Sequence, residues 1–173
     1  PGWNLISINV MPPVEMFSEG EDLGPDVILM TEQLRIDEDN HNIRIFKDEL
    51  GRFYSPSWEF NSIPYWDLTQ GYLVSVLEEV ETVWGGTSIN SNANIPIDLG
   101  WNLISYFPDF EISAASPEFE VLHSIIDHVI IAKDGFGRFM SPSWEFSNMP
   151  PWHESQGYQV KVDADVVLNY STA

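Results

Sequence analysis

Tyr158, Val160 and Val162 alternate with Gln159, Lys161 and Asp163, and Tyr72, Val74 and Val76 form a matching series. A period of two marks a strand with one buried face, so both segments read as half-buried strands. Residues 2–7, 100–105 and 129–132 carry apolar side chains in both phases, which predicts strands lying centrally in a sheet. Arg44 interrupts Ile43 and Ile45, so that strand is expected to keep one wet face. The tryptophans flanking strands, Trp3, Trp101, Trp66 and Trp152, are expected in the core.

One segment changes period. Phe119, Leu122 and Ile126 recur at helical spacing after Ser116 and Pro117, which predicts a short helix over 117–126 with Ser116 as N-cap and Pro117 as its first residue. Residues 25–34 offer a second helix in the same place relative to the strands.

The correspondence is a duplication. Gly2-Trp3-Asn4-Leu5-Ile6-Ser7 returns unchanged at 100–105, and GRFYSPSWEF at 51–60 returns as GRFMSPSWEF at 137–146. Trp66, Gln70, Gly71 and Tyr72 return as Trp152, Gln156, Gly157 and Tyr158. The later landmarks are offset by 86 (137 against 51) and the first by 98 (100 against 2), so 98 less 86 places a 12-residue insertion in the first copy. The expected organisation is repeat one over 1–84, with the insertion around 11–40, a Gly/Ser/Asn-rich linker over 85–94, and repeat two over 95–173. The fold class is α+β, predominantly antiparallel β. Two homologous β-rich repeats, each with one short helix, are expected to pack with pseudo-twofold symmetry around a shared core, because their apolar strand faces look too extensive for either copy to cover alone.

Composition narrows the functional classes. At 43% apolar residues the chain is globular, while a formal charge of −20 repels nucleic acid and anionic membrane surfaces. With no cysteine, disulfides, thiolate metal sites and cysteine nucleophiles are excluded. No apolar run reaches membrane-spanning length, and a start on Pro1 directly before a strand reads as a domain of something longer.

The combination of GWNLIS, the turn in IIAKDGFGRFMSPSWEF and the strand QGYQVKV resembles a tandem module of large secreted and cell-surface proteins of Bacteroidetes and related bacteria, often found near a C-terminal sorting signal. The resemblance covers essentially the whole chain. It implies an extracellular or cell-surface location and a modular parent, and carries over no catalytic residue. The first copy departs from the pattern where Glu49 stands in place of Gly135.

Candidate ligand-binding residues come in duplicate. Trp58 and Trp144 follow Ser-Pro-Ser, from where an indole can stack on a sugar ring, with Glu59 and Glu145 beside them to accept from hydroxyls; the alternative is that both indoles fold back into the core. Lys47 with Lys133 and Arg52 with Arg138 could grip an anion or uronate near the glycine turn, or form ion pairs with Asp48, Asp134 or Glu145. Asp37, Glu38 and Asp39, and Asp163 with Asp165, raise calcium as a possible cofactor, but lack the spacing of a calcium loop and read better as solvated acid. The histidines do not match between copies and have no zinc spacing, so no metal site and no cofactor is expected. No hydrolase elbow is present, although Glu59 with Glu145, or Asp48 with Asp134, could in principle face each other as an acid and base pair in a glycan-active enzyme.

The reading is a non-catalytic binding or adhesion module whose partners are a polysaccharide or surface glycoconjugate and the neighbouring domains of a longer chain. The rival is a structural spacer or assembly domain. An exposed aromatic strip on one face would favour the first.

Overall fold

The computed structural model describes residues 1–20 and 23–170; Glu21 and Asp22 of the insertion, and the last three residues of repeat two, lie outside the described residues. The first copy runs β1 (Gly2–Ile6), β2 (Val10–Met11), α1 (Val27–Thr31), β3 (Ile43–Lys47), β4 (Phe53–Ser55), β5 (Phe60–Asn61) and β6 (Tyr72–Val76), and the linker carries β7 (Thr87–Ser88). The second runs β8 (Ile95–Ile97), β9 (Gly100–Ile104), β10 (Val129–Lys133), β11 (Phe139–Ser141), β12 (Phe146–Ser147), β13 (Tyr158–Val162) and β14 (Val166–Leu168). Pairing is antiparallel throughout these strands, and the fold is β-rich with little helix.

Each copy builds its own five-stranded sheet in one strand order, β1-β6-β3-β4-β5 in the first and β9-β13-β10-β11-β12 in the second. The bulge also repeats, between Ile43 and Ile45 and between Val129 and Ile131. Alternation along the strands turns Phe46, Tyr54, Tyr72 and Val74 to a buried face against Trp66, and Ala132, Met140, Tyr158 and Val160 to the equivalent face against Trp152. Trp66 and Trp152 are fully buried.

The cores are two, not one. Buried residues fall into one cluster for each copy, which corrects the expectation of a shared core. Backbone hydrogen bonds join the copies, together with side-chain contacts such as the Ser7 hydroxyl donating to Gln156 O. Ser7 N donates to Ser155 O and Gly157 N to Leu5 O, while Ser105 N donates to Thr69 O and Gly71 N to Leu103 O. These bonds are reciprocal: every donor and acceptor in one set is the duplicate of one in the other. The end of β1 is therefore closed by residues just ahead of β13, and the end of β9 by residues just ahead of β6, with Ile6 opposite Gln156 and Gln70 opposite Ile104. Neither first strand keeps an open end at the junction.

Two local expectations change. The segment 117–126 is not a helix capped by Ser116: Phe119 takes a left-handed backbone (φ 45°) and buries its ring, and 3-10 turns begin only at Glu120. Burial of one aromatic overrode the periodicity, and the Ser116 hydroxyl donates to Glu145 O instead. In the first copy α1 forms as expected, with Asp26 accepting from Ile28 N and Leu29 N as N-cap. The linker over 85–94 is also held: β7 pairs with β2, and Ile89 packs on the second core.

Candidate functional site

Cross-strand register decides which side chains share the open face of each sheet. In the first copy Trp3 lies opposite Ser75 and Ser75 opposite Ile45; one pleat on, Leu5, Leu73, Lys47 and Phe53 form a row, and Ser55 with Phe60 the next. The second copy repeats this as Trp101, Lys161 and Ile131, then Leu103, Gln159, Lys133 and Phe139, then Ser141 and Phe146. Alternation turns all of these away from the copy's own core, although Leu5, Ser55, Ser75, Leu103 and Ser141 are buried by other neighbours.

Trp3 and Trp101 are therefore not core residues. They are 54% and 48% exposed, which corrects the expectation that they are buried. The strand segment is apolar in both phases, and only the register tells which phase faces outward. Lys47 Nζ sits 5.7 Å from the Trp3 ring centroid, and Lys133 Nζ and Lys161 Nζ sit 5.2 Å and 5.9 Å from Trp101. Of the seven lysines and arginines, Arg35, Arg52 and Arg138 are engaged in ion pairs, Lys47, Lys133 and Lys161 are in no ion pair among the described residues and gather on the two exposed indoles, and Arg44 belongs to neither group.

Trp58 and Trp144 stand at the outer end of the same faces, 69% and 74% exposed, so neither indole folds back into the core. Pro56 and Pro142 open the 3-10 turns that carry them, fixing one dihedral of each loop. Trp58 meets Phe53 edge-on at 6.1 Å, and Phe53 and Phe60 lie 5.0 Å apart, as Phe139 and Phe146 lie 5.1 Å apart in the second copy. Glu59 and Glu145 follow each tryptophan with φ of 48° and 47°. A non-glycine residue in the left-handed region is strained, and the identical SPSWEF segments adopt it in both copies as the caps of their 3-10 turns.

Arg52 and Arg138 have a structural partner. Asp48 Oδ1 accepts from Leu50 N and Arg52 N, and its Oδ2 takes Arg52 Nε at 2.5 Å; Asp134 does the same with Phe136 N, Arg138 N and Arg138 Nε at 2.6 Å. Both aspartates are buried, so these carboxylates build the hairpin turns. Asp134→Ala strands two amides and a guanidinium and is expected to cost about 1–2 kcal/mol, read from the denaturant midpoint.

Two grooves span the junction. One, of about 290 Å³, is lined by Lys47, Asp48, Glu49, Leu73, Trp101 and Gln159; its duplicate, of about 300 Å³, by Trp3, Asn4, Leu73, Lys133, Gly135 and Gln159. Each joins the first-strand tryptophan of one copy to the lysine turn of the other. They differ at a single telling position. Glu49 accepts from Leu103 N at 2.9 Å and Gln70 Nε2 at 3.1 Å, whereas Gly135 lies directly against Leu5.

Burial holds the Glu49 carboxyl above its ordinary pKa, against the Leu103 amide, with Asp98, Asp48 and Asp67 adding to the rise. A raised carboxylate pKa means the folded state prefers the protonated form, so this contribution is present below the unfolded value and lost as pH rises through the folded one. Glu49→Gln is accordingly expected to melt higher than the parent at pH 7, with the gap closing as pH falls through the carboxylate range. Thermal melts of both proteins from pH 4 to 8 check it.

Sheet order sets β5 and β12, and with them Glu59 and Glu145, at the outer edges of separate sheets, and Asp48 and Asp134 are each bound within their own turn. Among the described residues no three carboxylate or histidine side chains converge as a metal site, and no helix is long and apolar enough to cross a membrane. Sequence reasoning named Trp58 and Trp144 but missed Trp3 and Trp101 as surface residues. Their shared signal was the pairing of each copy's lysine with its indole, visible only once β3 and β10 are set in register. No protein-family model, no curated protein and no solved structure matches the chain.

Proposed function

We propose that the chain is a non-catalytic, extracellular binding module of a larger surface protein, with its two copies related by a pseudo-twofold axis and a glycan held along the open sheet faces. One observation carries the reading. Each sheet carries exposed aromatic rings around a half-buried phenylalanine, Trp3, Phe60 and Trp58 around Phe53 in the first copy and Trp101, Phe146 and Trp144 around Phe139 in the second, with lysines over the first-strand indoles. An apolar patch rimmed by polar groups is unusual on a protein charged to −20 and suits stacking against sugar rings. The reciprocal hydrogen bonds support the pseudo-twofold relation. Two equivalent faces in one unit add avidity to weak single contacts, which fits a repeating polymer.

The net charge repels polyanions at range, so neutral polysaccharides are the first candidates. The test is retention on columns bearing a panel of neutral and acidic polysaccharides. Trp58→Ala, Trp144→Ala, Trp3→Ala and Trp101→Ala are each expected to weaken binding by roughly three- to tenfold, since an aromatic contact contributes about 1 kcal/mol, while leaving the melting temperature nearly unchanged. A parent protein that binds no member of the panel overturns the reading. The spacer reading then replaces it, favoured by the linker, whose ties to both copies make the unit stiff.

A further inference from the structure

In the second copy β8 lies against β14, and its Ile95 and Ile97 are fully buried in the core. The duplicate of β14 in the first copy is the segment 80–82, at the offset of 86, and among the described residues it pairs with no strand. Its side chains show the difference. Val80 is 44% exposed where its duplicate Val166 is partly buried against the second core, and the Thr82 hydroxyl is buried with no hydrogen-bond partner where its duplicate Leu168 is fully covered.

The rest of the receptor is in place. Asn102 holds the turn between β8 and β9, its Oδ1 accepting from Asp98 N and its Nδ2 donating to Asp98 O and Gly100 O. Asn4, its duplicate, already donates to Gly2 O at 3.2 Å. Gly2 and Gly100 share the same left-handed turn, φ 84° and 98°. Beneath, Trp84 replaces Tyr170 and packs on Trp66 as Tyr170 packs on Trp152. One anchor differs: Leu99 N donates to Asp165, whereas Pro1, in Leu99's place, has no N–H once a residue is joined ahead of it.

We infer that the edge formed by 80–82 is a strand receptor, which takes an extended segment of the Ile-x-Ile-Asp kind entering ahead of β1, as β8 enters ahead of β9. The occupant is committed by the chain itself, because β8 is seated on the duplicate of this edge. Backbone pairing would supply the affinity and the two isoleucines the specificity, the mode of strand addition. The inference is independent of any glycan.

Grafting Ile-Pro-Ile-Asp directly ahead of Pro1 tests it against a control graft of Asp-Pro-Asp-Asp. The apolar graft is expected to raise the melting temperature by on the order of 5 °C, from burial of two isoleucines less the ordering of the segment, and to slow amide exchange at Val80 and Thr82. The control should do neither. Equal shifts from both grafts, or unchanged exchange at Val80 and Thr82 with the apolar one, overturn the inference.

Discussion

Trp152→Ala is expected to lower the stability of the chain by about 3–5 kcal/mol, and Trp66→Ala by a similar amount. Both indoles are completely buried, and each is the hub of an aromatic cluster: Trp152 stacks on Tyr158 at 3.8 Å, with Tyr106 and Tyr170 around it, and Trp66 contacts Phe46, Tyr72 and Trp84. The backbone cannot close over such a void, because Tyr158 and Tyr72 are tied at their far ends by His153 N and Asp67 N donating to their hydroxyls. A cavity therefore remains. Neither buried indole N–H has a hydrogen-bond partner, which offsets part of the gain from burial. Thermal melts should show losses of roughly 10 °C for each buried tryptophan, against a change within about 2 °C for Trp144→Ala. A Trp152→Ala melt as high as that of Trp144→Ala would refute the packing described for the second copy.

The contrast among six duplicated tryptophans shows what the sequence could and could not convey. Repetition made the β-rich, two-copy plan legible, since strand phase, turn glycines and prolines recur at fixed offsets. The exposure of Trp58 and Trp144 was one of two open readings, and Ser-Pro-Ser gave the physical reason for it. Trp3 could not be placed in the same way. Its strand is apolar in both phases, and its neighbours in space, Lys47 and Ser75, come from strands tens of residues away, so register alone decides. The pairing of Asp48 with Arg52 and Asp134 with Arg138 was legible as an alternative because the partners are four residues apart. Glu49 was noticed only as a departure from the repeat. Its actual role, accepting an amide from the other copy, is a long-range contact that no local pattern encodes.

Gly71→Ala or Gly157→Ala is expected to destabilise by about 2–4 kcal/mol and to change the form of unfolding. A Cβ on Gly157 would lie 2.8 Å from Ile6 O and 3.0 Å from Leu5 Cδ1, and one on Gly71 2.9 Å from Ile104 O and 3.4 Å from the Gly157 Cα. The obstacles are mostly backbone, which cannot rotate aside as a side chain can, and it is the same backbone that the Gly157 N to Leu5 O and Gly71 N to Leu103 O bonds hold in place. Relief requires the copies to part. Because the bonds are reciprocal, opening one side loosens the other, so the double variant should cost clearly less than the sum of the two single ones. Each copy has its own core, and the second is larger, with 21 buried residues in its cluster against 12 among the described residues. Once the junction is open, the first copy should unfold at lower urea than the second, splitting one cooperative transition into two. Monitoring urea unfolding by tryptophan fluorescence together with amide exchange resolves the halves. A single transition at the parent's midpoint in both glycine variants would show that the junction carries no coupling between the copies.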